Sequence, residues 1–360
     1  MNKTRFHFAI GIFAALSLLL AACSTTATTP AGPTSTATRV ESYPAPSGSG
    51  QVTSQPGSYP APGSGEATAQ PGEKPTRAYP APGEINLTDG LNRTVTLQSP
   101  AQKIVSLAPS NTELLYEVGA GAQVIGRDDF SDYPEEAKSL PSVGGSMGNY
   151  NLEAIAALKP DLVLAAEINT QAQVNSLENL GLTVYYLKNP KDLAGLYQNL
   201  QTVGTLTGKT GQATSLTQSL QARVQAVDAK LAGITTHPKV YYELDATDAT
   251  KPYTSGPGSY VDILLTIAGG QNIGATLSQS YAQISSEEVI TQNPDVILLG
   301  DAAYGVTVES IGQRPGWSAI NAVQNNQVFA IDDNTVSRPT ARLIDALEII
   351  AKILHPEAFK

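Results

Sequence analysis

The sequence predicts an α/β protein with two lobes of like topology braced by one long helix. Three observations carry that expectation. Short apolar strands alternate with helical patterns from Thr94 onward, as they do where helices pack on largely parallel sheets. A stretch of the first half is repeated in the second: Glu153-Ala-Ile-Ala-Ala-Leu-Lys-Pro-Asp161-Leu-Val-Leu matches Glu287-Glu-Val-Ile-Thr-Gln-Asn-Pro-Asp295-Val-Ile-Leu. Between the halves, Ala213, Leu216, Leu220, Val224, Val227 and Leu231 recur at spacings of three and four, one apolar stripe on one helix.

The first residues read as an address. Lys3 and Arg5 precede an apolar run, Phe8 to Leu20, of 13 residues. A bilayer span needs ~20, so this run fits a secretory leader, 1–22. Leu20-Ala21-Ala22-Cys23 resembles the bacterial lipobox, in which the cysteine is lipidated. Cys23 is the only cysteine of the chain, so no disulfide forms within it. Export and lipid anchoring follow as expectations, to the outer face of the cytoplasmic membrane or the periplasm.

Residues 23–84 read as a disordered tether. Between Ser24 and Glu84 there is no Leu, Ile, Phe, Met or Trp, and 11 of the chain's 24 prolines fall there. Such a segment buries too little apolar surface to offset the entropy of ordering. Tyr-Pro-Ala-Pro recurs at Tyr43, Tyr59 and Tyr79. A ligand for a proline-recognising partner is one reading, and a semi-stiff spacer is the favoured one.

The folded part, from Ile85, carries 17 basic against 28 acidic residues within a chain of net charge −10. Nucleic-acid binders carry basic patches, so a nucleic-acid partner is not expected. Strands are expected at 94–97, 103–107, 162–165, 184–187, 240–244, 296–299 and 328–331. In each copy of the repeat a Glu stands seven residues before a Pro-Asp that opens an apolar strand. Upstream, Gly119-Ala-Gly-Ala-Gln-Val-Ile-Gly126 resembles Ala268-Gly-Gly-Gln-Asn-Ile-Gly274, in the same order. The first lobe is placed at 85–205, the connecting helix at 206–236 and the second lobe at 237–360. A helix over 209–232 would be ~36 Å long, enough to brace both lobes and limit their motion. Gly204, Gly208 and Gly211, read as lying before the helix, are candidate hinges.

Lys103-Ile-Val-Ser-Leu-Ala-Pro-Ser-Asn-Thr-Glu-Leu-Leu115, followed by Gly119-Ala-Gly121, resembles the opening of the iron-siderophore and cobalamin substrate-binding proteins of ABC importers. Asp129-Phe-Ser-Asp-Tyr-Pro134, Val143-Gly-Gly145, Tyr253-Thr-Ser-Gly256 and Arg338-Pro339 with Arg342 continue the likeness. The resemblance implies two Rossmann-like lobes joined by a single long α-helix, with the ligand in the cleft between them. It implies a monomeric carrier without enzymatic activity or resident cofactor, its partners being the permease of an ABC transporter and a metal-chelate ligand. Cobalamin leads, and a ferric siderophore or haem is the alternative.

Ligands of open α/β sheets sit beyond the carboxyl ends of the strands. That places Ser110, Asn111, Phe130, Tyr133, Met147 and Tyr150 at the first lobe's mouth, and Tyr253, Tyr281 and Tyr304 at the second's. With 15 Tyr, six Phe and one Trp, the aromatic surface is mostly tyrosine, which offers a large flat ligand both a ring face and a hydroxyl. The resemblance favours Phe130 and Tyr281, and marks Arg338 as a cleft arginine. For Tyr133 and Tyr304 loop packing is an equal reading, and Arg342 reads as structural. Trp317, the only tryptophan, reads as packing. Glu153 and Glu287 stand at helix starts, where the macrodipole favours a carboxylate. The resemblance marks them as the contacts to permease arginines.

Three histidines and no nucleophile elbow argue against a hydrolase and against a His-rich metal cluster. Ser255-Gly-Pro-Gly-Ser259 lacks the phosphate-cradle pattern. An exported enzyme acting on a tetrapyrrole, such as a chelatase, and a structural or signalling lipoprotein are the rivals from other classes.

Overall fold

A computed structural model describes residues 83–360. Cys23, the leader and the Tyr-Pro-Ala-Pro repeats lie outside the described residues. The strands β1 (Ile85–Thr88) and β2 (Thr94–Leu97) form an antiparallel hairpin. Its turn is built on buried Asp89, which accepts the N–H groups of Leu91 and Arg93 and pairs with the Arg93 guanidinium.

Two sheets follow, one in each half. The first contains β3 (Ile104–Ser106), β4 (Val124–Gly126), β5 (Leu162–Ala166) and β6 (Val184–Leu187), all parallel, in the order β4-β3-β5-β6. β5 and β6 are buried throughout, which is why their sequences are continuous apolar runs with no alternation. Helices α1 (Pro109–Glu117), α2 (Leu152–Ala157), α3 (Gln171–Asn179) and α4 (Leu193–Thr207) belong to this half.

The second sheet repeats the plan. β7 (Lys239–Asp245) pairs in parallel with β9 (Gln271–Asn272) and with β11 (Val296–Leu299), which pairs with β12 (Val328–Ala330). The order β9-β7-β11-β12 thus mirrors that of the first sheet. Two antiparallel strands, β8 (Tyr253–Ser255) and β10 (Tyr281–Gln283), extend it beside β7.

The repeated Pro-Asp has the same task in both halves. A left-handed residue, Lys159 (φ 50) or Asn293 (φ 48), stands before the proline, which cannot extend the helix. The aspartate then clamps the start of the neighbouring strand. Asp161 accepts the N–H groups of Gln102 and Lys103, both at 2.9 Å, and Asp295 accepts that of Lys239, also at 2.9 Å.

The amphipathic segment forms α5 (Thr210–Leu231). Residues 206 and 207, assigned from sequence to this helix, instead end α4, which stops at left-handed Gly208 (φ 72). The N-terminal part of α5 crosses α4 closely: a Cβ on Gly204 would lie 2.5 Å from that of Ala213. Gln201 also donates to Thr217 at 3.0 Å. Its later part meets the last long helix, α11 (Arg342–Leu354), where Arg223 binds Glu348 at 2.9 Å and Asp345 at 2.6 Å. Before α11 come α6 (Tyr260–Ile267), α7 (Ser286–Gln292), the single turns α8 (Val308–Ile311) and α9 (Asn321–Gln324), and α10 (Asp333–Ser337). Among the described residues no helix is long and apolar enough to cross a membrane.

Trp317 is fully buried, edge-on to Tyr241 with ring centroids 5.8 Å apart, and donates to Ser286 at 2.6 Å. It is a packing residue, as its sequence context suggests.

Candidate functional site

The carboxyl ends of the parallel strands open onto recesses in both halves. A recess of about 160 Å³ is lined by Ser110 and Ile168 from the first half and by Ser337 and Arg338 from the second. Beside it, one of about 460 Å³ lies between Glu167, Lys188 and Lys191 on one side and Tyr260, Ser280 and Tyr281 on the other. The Tyr260 hydroxyl donates to the Pro190 carbonyl at 3.1 Å and ties the two sides together. A third, of about 560 Å³, belongs to the second half and is lined by Asp245, Tyr253, Asp301, Tyr304 and Asp333.

Tyr253 and Tyr281 share one face of the β8–β10 ribbon. Tyr281 stands opposite Ser255, and Tyr253 opposite Gln283. In an antiparallel pair, opposed residues and those two positions along point the same way, so the two rings are diagonal neighbours. They are 44% and 41% exposed, large apolar surfaces left open to contact. Burial, then the charge of Asp333, raises the pKa of the Tyr281 hydroxyl, so it remains a neutral hydrogen-bond donor at physiological pH. In the first half Phe130 is 54% exposed. Its loop is held from below by Asp128, which accepts the Phe130 N–H at 2.8 Å and pairs with the Ser131 hydroxyl. Ser131 in turn meets Thr112 at 2.7 Å, and Thr112 donates to Ser106 at 2.8 Å. Burial pushes the Asp128 carboxyl up despite these bonds. Sequence reasoning did not single out Asp128, although an aspartate two residues before an exposed aromatic is a turn signal.

Several residues expected at the ligand surface have other partners. Asn111 is buried, and its amide donates to the Leu164 carbonyl at 3.1 Å, a bond that ties α1 to β5. The Tyr150 hydroxyl donates to the Leu107 carbonyl at 2.8 Å, and its ring packs where a Cβ on Gly145 would lie only 3.0 Å away. It braces the loop and is half-buried. Tyr133 lies 4.2 Å beneath the Arg342 guanidinium, a cation–π contact that accounts for its position. Met147 sits in the short turn Ser146–Gly148, and its side chain lies outside the described residues. Ser110 lines the smallest recess.

Arg338 departs most from expectation. Its Nη1 is bound by Glu113 at 2.8 Å and by Asp132 at 2.7 Å, and its side chain is 14% exposed. Glu113 is fully buried and also accepts from Arg342 at 2.7 and 2.9 Å and from Thr340 at 3.0 Å. One turn on, Glu117 accepts the Ala341 N–H at 3.0 Å. The cationic arm expected to await a ligand thus belongs to a latch between α1 and the segment leading into α11. A charge at position 338 was legible in the sequence; a neutralising carboxylate 225 residues away was not.

Glu153 and Glu287 are exposed in the first turns of α2 and α7, one in each half. Asn151 and Ser285 cap those helices, accepting the N–H groups of Ala154 at 2.9 Å and Glu288 at 3.1 Å. Capping therefore does not require either glutamate, and neither carboxylate has a hydrogen-bond or ion-pair partner among the described residues.

The sequence profile of the family described as periplasmic binding protein matches residues 104–335. An uncharacterized ABC transporter substrate-binding lipoprotein of Bacillus subtilis, YvrC, is 30% identical over 279 residues, 77% of this chain and 87% of that protein. A vitamin B12-binding protein of Vibrio campbellii is 33% identical over 251 residues, 69% of this chain and 87% of that protein. Among solved structures, the periplasmic heme-binding protein RhuT from a Roseiflexus species superposes with a TM-score of 0.63 at 26% identity, over 72% of this chain and 99% of that one. With a mixed α/β architecture of parallel sheets and flanking helices, and a family profile spanning both of them, the chain belongs to the periplasmic binding protein family.

Proposed function

We propose that this protein is the substrate-binding lipoprotein of an ABC importer, and that it captures cobalamin between two lobes and delivers it to the permease. The observation that carries the reading is the meeting of both halves at two adjoining recesses, the larger lined by Tyr281, with the rings of Phe130 in the first half and Tyr253 in the second left open. Open aromatic faces with hydroxyl tips suit a large flat ligand bearing polar edges. The likeness to a vitamin B12-binding protein at 33% identity favours cobalamin. The likeness to a heme-binding protein keeps haem as the second reading.

In this reading α5 is the strut between the lobes, and lipidated Cys23 holds the protein at the outer face of the cytoplasmic membrane through the tether. The protein works as a monomer without turning over its ligand, and needs no resident cofactor because the metal arrives inside the chelate. Glu153 and Glu287 supply one permease contact per lobe, fixing register as well as charge complementarity.

Titration calorimetry of the mature chain with cyanocobalamin, cobinamide, a ferric siderophore and haem tests the proposal. One-to-one binding of cyanocobalamin, recovered unchanged, is the expected result. Binding of haem alone shifts the ligand to the second reading. Conversion of a bound tetrapyrrole identifies an enzyme, and binding of none overturns the chelate receptor.

A further inference from the structure

The second-half recess has a chemical character of its own. It holds Asp245, Asp301 and Asp333 together with Tyr253 and Tyr304, and no lysine, arginine or histidine lines it. Asp301 is 3% exposed; its Oδ2 accepts the Ala246 N–H at 3.0 Å, while its buried Oδ1 receives no donor and the carboxyl lies beside that of Glu243. An acidic wall with no cation in it favours an occupant that brings N–H or O–H donors.

The other two carboxylates are partly engaged. Asp333 accepts from Tyr242 at 2.5 Å and from Ser337 at 3.1 Å, and Asp245 accepts the Thr247 N–H through one oxygen. Behind the wall, Glu243 is neutralised by Arg314 in a two-pronged pair at 2.5 and 2.7 Å. That arginine is therefore spoken for, and the wall keeps its negative sign. The carboxylates do not form a group that could hold a metal ion, so the fitting occupant is a set of hydrogen-bond donors.

We infer that this wall is the subsite for the carboxamide-bearing edge of an amidated tetrapyrrole, and that it rejects tetrapyrroles whose edge carries carboxylates. The inference rests on the tetrapyrrole reading proposed above and adds the feature that selects among tetrapyrroles. The corrin ring of cobalamin presents primary amides, whose N–H groups suit carboxylate acceptors. The propionates of haem would face like charge, and selection by such a repulsive contact is a common device of specificity.

The test compares cyanocobalamin with a derivative in which peripheral carboxamides are hydrolysed to carboxylates, and haem with its uncharged diamide, at pH 7.5 and low salt. The wild-type protein is expected to bind the amide member of each pair it accepts about tenfold more tightly, the scale of one partly screened like-charge contact. Asp301→Asn should narrow that gap by strengthening the acid member. Asp245→Asn, at an exposed position, should do the same and guards against misfolding of the buried variant. If a tetrapyrrole binds and the wild-type protein shows equal affinity for its acid and amide forms, or if the gap survives both substitutions, the subsite is wrong while the receptor reading stands. Binding of no tetrapyrrole overturns both.

Discussion

Glu117 is the residue whose titration leaves the clearest mark on stability. Burial pushes its carboxyl up to about 7 against the pull of the Ala341 N–H, and Glu113 adds to the rise. Asp301 behaves alike: burial, then the charge of Glu243, moves it to about 6. A carboxyl whose pKa is higher in the folded than in the unfolded chain holds its proton more tightly when folded. Its stabilising effect is complete below the unfolded pKa and is lost as pH rises through the folded one. Thermal stability is therefore expected to fall between about pH 4.5 and 7 by an amount on the order of 2 kcal/mol from Glu117. Glu117→Gln should flatten that part of the profile, as differential scanning calorimetry would show; an unchanged slope would mean that Glu117 titrates normally. Breaking the neighbouring latch is a harsher change. Glu113→Ala leaves Arg338 and Arg342 without their shared buried carboxylate and should cost about 3–5 kcal/mol, measured by urea unfolding. This latch also shows where sequence reading stops. The residue types at 113, 338 and 342 are plain in the chain, but their meeting depends on how two halves pack.

At the scale of the element, α5 and the helix before it set how the halves are braced. The glycines that offered themselves as hinges have separate places. Gly204 lets α4 and α5 approach, and Gly208 ends α4 against Pro100, with a hypothetical Cβ 3.0 Å from the proline ring. Gly211, in the first turn of α5, has nothing within 4 Å of a Cβ. Gly204→Ala should therefore destabilise the protein by about 1–3 kcal/mol through overpacking, while Gly211→Ala should stabilise it by up to about 1 kcal/mol. Equal effects in chemical denaturation would show that the crossing has slack. Elements differ in how legible they are. β5, β6, β7 and β11 announce themselves as apolar runs because both faces of each are covered. The ribbon β8–β10 has three residues per strand, several of them polar or exposed, so no hydrophobic pattern marks it, although it carries two of the expected aromatics. The repeat was legible as sequence, and its common role as a strand clamp emerged only from the hydrogen bonds of Asp161 and Asp295.

At the scale of the whole molecule, the two sheets with matching strand order and the glutamates at matching positions describe a pseudo-symmetric receptor. Glu153→Ala and Glu287→Ala should leave ligand affinity and thermal stability nearly unchanged, because both side chains are exposed and their helices are capped by Asn151 and Ser285. Uptake in vesicles carrying the cognate permease should fall in each variant and most in the double one. Normal uptake by the double variant would reduce both glutamates to helix-start acids. With α5 packed on α4 and α11, and α1 latched to the 338–342 segment, little closure is expected on binding. The central claim is that a chelate sits between the halves, and hydrogen–deuterium exchange with and without cyanocobalamin tests it most directly. Protection is predicted in residues 106–112, 128–133 and 166–168 of the first half together with 245–255, 280–283 and 301–305 of the second. Protection confined to one half, or none at saturating ligand, would contradict the account.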